Sequence, residues 1–222
     1  MQTKPTPTPA LSIGDLIWQA FFSPTQGLSR AARQQPIGWA IAFIVIISFV
    51  STLVWWTPQT AYQLRYPYMI FFDSPWKAAL IAVVIAPLVF LVSSAMLHWI
   101  GWLFGGRGSY PELFSALAFA SMPPALFQIL LIKLAEPWGD LGEVLKVLGD
   151  MGTLIWGLTL SVLAVREAHG LSTLQAIGAQ VIFLIVVVGL VLLWALTPVL
   201  SLLGILLTVI TLALWFSAPG RR

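Results

Sequence analysis

Two histidines are the side chains in this sequence best suited to proton or metal chemistry. His98 lies inside a long apolar run, residues 78–104, and an ionisable group at membrane depth is a functional candidate by default. Trp99 and Trp102 lie beside it, which favours a structural place at a membrane interface over that role. His169 lies in the polar run 166–173, read REAHGLST, beside Arg166, Glu167 and Gly170. Zinc needs three or four ligands. With two histidines and no cysteine, no metal site is expected. Glu136, Asp140, Glu143 and Asp150 lack the regular spacing of a calcium loop and read as a solvated turn. Gly105, Gly106, Arg107 and Gly108 resemble a phosphate-binding loop only superficially, since no Lys-Ser/Thr pair follows. Neither a Gly-x-Ser-x-Gly elbow nor a His-Glu-x-x-His box is present. No catalytic, cofactor-binding or metal residue is therefore expected, and no enzymatic activity.

What must position these residues follows from composition. The 222 residues are 59% hydrophobic and 9% charged, against about 25% charged in a soluble domain. So few charges cannot coat a globular surface, and the chain reads as an integral membrane protein. The net charge of +3 comes with no stripe of Arg and Lys interleaved with aromatics, so no nucleic-acid partner is expected. Membrane lipids are the expected partners, with a membrane protein or a second copy as further possibilities. The absence of cysteine removes disulfides and thiol nucleophiles.

In chain order, residues 1–10 alternate Thr and Pro and read as an extended tail. Residues 11–22 carry Ile13, Leu16, Ile17, Ala20 and Phe21 at helical spacing, with Ser12 and Asp15 placed to cap the start. This predicts a short amphipathic helix, either on the membrane surface or packed on the protein's own loops. Arg30 and Arg33 precede the first span and mark that side as cytoplasmic. Spans are expected at about 37–56, 78–104, 113–134, 147–165, 174–196 and 199–216. Residues 1–36 form a cytoplasmic region, 37–216 the transmembrane domain and 217–222 a cytoplasmic tail. The connection 57–77, with Tyr62, Tyr66, Tyr68, Phe71, Phe72 and Trp76, is amphipathic enough to lie against the outer headgroups. Residues 174–216 as one helix would run roughly 64 Å, so a turn is expected near Pro198. Six spans place seven basic residues inside and four outside, and five spans is the alternative. The fold class is thus all-α: a polytopic transmembrane bundle of five to six spans with an N-terminal interfacial helix.

The stretch 105–124, GGRGSYPELFSALAFASMPP, organises this plan. The glycines suit a tight turn. Ser109, Tyr110, Pro111 and Glu112 read as a helix start. Pro123 and Pro124 put a kink in the span that follows, serving either packing or a midplane binding site. Ser115, Ala116, Ala118, Ala120 and Ser121 allow close helix approach.

Together, GGRGSYPELFSALAFASMPPAL, the acidic turn, and LIWGLTLSVLAVREAHGLST resemble the Yip family of integral membrane proteins over roughly residues 15–196. The resembling positions include Gly105, Gly106, Pro123, Arg166 and Gly170, which the resemblance implies to be architectural. It implies no catalytic residue and no cofactor. It implies a cytosolic N-terminus and about five spans, in a prokaryotic-type member of the plasma membrane. The N-terminal region is far shorter than that through which eukaryotic members contact small GTPases. The expected role is a scaffold or adaptor in membrane organisation. The alternative is a channel or a carrier of lipids or small solutes.

Overall fold

The computed structural model describes residues 12–56 and 74–217, without side chains at 198–206 and 208–217. The Thr-Pro tail, the aromatic connection over 57–73 and the last five residues lie outside the described set.

Every element among the described residues is helical. Ser12 caps α1 (Ile13–Phe22) as its hydroxyl accepts the Asp15 N–H. Pro24 at the first turn starts α2 (Pro24–Gln34), which the sequence reading left without structure. Gln35 closes it in the left-handed region, φ 48°, donating its N–H to the Ala31 carbonyl. Pro36 then leads into α3 (Ile37–Trp55). Ser74 caps α4 (Pro75–Leu103), which continues through Pro87. The glycine turn leads to α5 (Tyr110–Ala135). A single 3-10 turn, Glu136–Trp138, joins it to α6 (Gly139–His169), and α7 is Thr173–Ser217.

The chain forms two compact units, divided after Gln180. In the first unit α5 is the central element, touching α1, α2, α3, α4 and α6. Its first half is buried all round: Leu113, Ser115, Ala116, Ala118 and Phe119 are fully enclosed. Against lipid tails, burying a Leu gains little, so helices associate through close packing and small residues. The small side chains of α5 supply that closeness. Aromatics key the neighbours in place: Phe43 and Phe90 meet Phe119 and Phe114 edge-on, with centroids 5.3 and 5.4 Å apart.

Helices α5 and α6 fold back on each other. A side chain at Gly149 would run into Leu131, and one at Gly157 would rest 3.7 Å from Pro124. Gln128 donates to the Asp150 carboxylate at 3.0 Å. Both proline positions sit inside α5 without breaking it.

Two expectations need correction, and one left open is narrowed. The acidic stretch 135–150 is helical, not a loop, because the 3-10 turn needs only three residues and α6 begins at Gly139, where φ is 54°. For the N-terminal helix, where membrane surface and self-packing were both open, Leu16 and Ala20 are buried against the bundle while Trp18 and Phe22 stay exposed, so packing on the protein is one side of it only. Finally, α7 continues through Pro198, where a turn between two spans was expected. A proline removes the N–H that would reach the carbonyl four residues back. That carbonyl belongs to Trp194, and the Thr197 hydroxyl donates to it at 2.6 Å. Helix continuity is kept, as Ser and Thr permit in membrane helices.

Four stretches are long and apolar enough to cross a bilayer: Ile37–Trp55, Pro75–Leu103, Tyr110–His169 and Thr173–Thr197. The third is the folded α5–α6 hairpin. Its arms, of 26 and 31 residues, are each long enough to cross once. By length, the described helices offer five candidate crossings once the two arms of the hairpin are taken separately. The second unit is the remainder of α7, an apolar helix whose described side chains, at 181–197 and Leu207, are largely exposed.

Candidate functional site

The end of the bundle that carries the glycine turn gathers most of the residues singled out in the sequence. α4 ends as the Phe104 N–H bonds back to the Ile100 and Gly101 carbonyls. Gly105 takes φ 89°, and the Gly106 N–H reaches the Gly101 carbonyl at 3.0 Å. The Ser109 N–H then donates to Glu112 at 2.7 Å, which starts α5.

The reason for glycine at the neighbouring positions is the C-terminus of α6. A Cβ at Gly101 would lie 2.5 Å from Cδ2 of His169, and one at Gly106 would lie 2.6 Å from the same atom. A Cβ at Gly108 would overlap the Ala168 carbonyl oxygen. His169, 3% exposed, thus fills a slot with glycine walls. The Arg107 N–H donates to the His169 carbonyl at 3.1 Å, and His169 Nε2 lies 3.3 Å from the His98 carbonyl oxygen. Sequence reading named Gly105, Gly106, Gly108 and His169 separately. It missed that they meet, and it missed Gly101 and Ala168 altogether. Glycines at spacings 101, 105, 106 and 108 beside a helix end with its own Gly170 were the available signal.

The two imidazoles sit edge to face, centroids 4.9 Å apart, and His98 is 5.9 Å from the Tyr110 ring. Nδ1 of each histidine is buried with no hydrogen-bond partner among the described residues. The Tyr110 hydroxyl lies 3.0 Å from the Ser94 hydroxyl and donates to the Leu91 carbonyl at 3.2 Å, joining α5 to α4. Gly170, φ 66°, ends α6 by donating its N–H to the Arg166 carbonyl. The Arg166 side chain holds Glu167 at 2.6 Å and reaches the Thr173 hydroxyl at 3.4 Å. Gln175 donates to the Phe104 carbonyl at 3.2 Å, tying the start of α7 to the same turn.

Arg107 differs from these groups. Its backbone is fixed by the bond to His169, while its side chain is exposed. Pro123 and Pro124 lie elsewhere, midway along α5, buried against the bundle. Among the described residues, no three His, Asp or Glu side chains gather as metal ligands.

Several helices long and apolar enough to cross a bilayer, one of them enclosed on all sides in its first half, and a glycine turn clamped on a helix terminus define a polytopic, all-helical integral membrane protein. The chain belongs to the Yip family: the model of the Yip1 domain matches residues 18–196. No curated protein matches it. No solved structure matches it either.

Proposed function

We propose that this Yip-family protein is a non-enzymatic membrane scaffold that presents its glycine turn to a partner membrane protein. The observation that carries this reading is the contrast at Arg107. The Tyr110 hydroxyl, the Arg166–Glu167 pair and the His169 carbonyl are spent on internal contacts and Nδ1 of each histidine is buried, whereas Arg107 offers an exposed guanidinium on a pinned backbone. A cation carried on a pinned turn is suited to an anionic site, since the backbone loses little entropy on docking and only the side chain must be ordered. The reading takes the N-terminus and this turn to be cytoplasmic, in keeping with Arg30, Arg33, Arg107 and Arg166 falling on one side. We place the protein in a prokaryotic plasma membrane.

The competing reading is a lipid or small-solute carrier. Reconstitution separates them. Purified protein in liposomes that hold a fluorescent lipid analogue and an entrapped dye is expected to leave scrambling and leakage at the protein-free rate. Protein-dependent acceleration of either rate, abolished by heat denaturation, would overturn the scaffold reading.

A further inference from the structure

The α1–α2 hairpin presents a surface that the bundle does not use. Leu16 and Ala20 of α1, with Leu28, Ala31 and Ala32 of α2, are buried. The two helices approach closely at Gly27, where a Cβ would lie 2.7 Å from the Gln19 backbone. On the other side of α1, Trp18 and Phe22 meet in a tilted pair with centroids 4.2 Å apart and are 65% and 66% exposed. In water, such a pair would be an apolar liability.

Its position resolves this. Phe21, in the same last turn of α1, meets the Trp156 ring at 6.4 Å. Trp156 is thirteen residues before His169, the last residue of α6 (169 − 156 = 13), or about 20 Å along the helix. The hairpin therefore lies on the flank of the bundle, within its length, where lipid surrounds an integral membrane protein. Exposed Ile37 and Trp39 at the start of α3 continue the apolar face immediately after it in the chain. The charges on the hairpin are Asp15, Arg30 and Arg33, a net of +1 (two minus one). Asp15 is held by Ser12, and Arg30 bonds weakly to the Gln19 side chain at 3.4 Å. Arg33 is exposed at the C-terminal turn of α2. A guanidinium beside acyl chains snorkels toward headgroups and favours anionic ones.

We propose that α1–α2 is a wedge for one leaflet: Trp18 and Phe22 enter the acyl-chain boundary, and Arg33, with Arg30, holds the phosphate of an anionic phospholipid. This is independent of the partner assigned to the glycine turn, and either can fail alone.

Because the chain has no cysteine, W18C and F22C can be spin-labelled directly, with exposed Gln26 (Q26C) as a control on α2 and lipid-exposed Leu130 (L130C) as a depth reference. In vesicles of phosphatidylcholine and phosphatidylglycerol, labels at 18 and 22 are expected to collide with oxygen and to be shielded from a nickel chelate, as at 130. The label at 26 is expected to meet the chelate. Chelate access at 18 and 22 equal to that at 26 would overturn the wedge. In the otherwise native protein, spin-labelled phosphatidylglycerol is expected to be motionally restricted more than spin-labelled phosphatidylcholine, and R33Q is expected to reduce the difference. Equal restriction in the native protein, or a difference unchanged in R30Q/R33Q, would overturn the anionic-lipid assignment.

Discussion

At Gly106 and Gly108 the absence of a side chain is what lets the α6 terminus dock on the turn. Ala at Gly106 would press on the His169 ring, and Ala at Gly108 on the Ala168 carbonyl. Overpacking of this kind costs about 1–3 kcal/mol. Thermal unfolding in detergent is expected to show that loss for G106A and for G108A. Gly38 is the internal contrast: it is helical and nothing lies within 4 Å of an added Cβ. There the helix propensity of Ala dominates, and G38A is expected to gain up to about 1 kcal/mol. If G106A and G108A were as stable as the native chain, the clamp would be wrong. Gln35 has the opposite defect, a side chain at φ 48°. Q35G relieves that strain, and a gain of roughly 0.5 kcal/mol is expected in the same assay.

Among the elements, the α5–α6 hairpin is held by small contacts at intervals along its length, with Gly149 against Leu131 near the connecting turn. An isoleucine at 149 is expected to pry the arms apart and lower the unfolding temperature, while G152I, where nothing lies within 4 Å, is expected to leave it near the native value. The sequence disclosed elements where a local rule decides. Ser12 with Asp15 and Ser109 with Glu112 could be read as helix starts because both partners lie within one turn. It misled where a rule has a remedy. Pro198 looked like a break, yet Thr197 supplies the hydrogen bond that Pro198 cannot. Helix α2 escaped notice because Gly27 lowers its intrinsic propensity and Pro24 reads as a stop after α1 although it also suits a first turn, and packing on α5 and α6 outweighs the glycine. The histidine slot was illegible because His169 and Gly101 are 68 positions apart (169 − 101) and nothing local links them.

For the molecule as a whole, α7 taken as one span predicts five passes and termini on opposite faces, where six would put them on one. Reporters active only in the cytoplasm, fused at each end in turn, are expected to give opposite results, and matching results would restore the turn at Pro198. The bundle has one helix enclosed on all sides in its first half and a turn whose backbone is locked to its neighbour. This rigidity suits a protein that holds partners in place. The most direct test of that claim is a photo-crosslinking residue at position 107, irradiated in intact cells, with the adduct identified by mass spectrometry. The account predicts one reproducible membrane-protein partner, captured from position 107 and lost when G106A or G108A unseats the turn. Labelling of lipid alone, or a capture pattern unchanged by those substitutions, would contradict it.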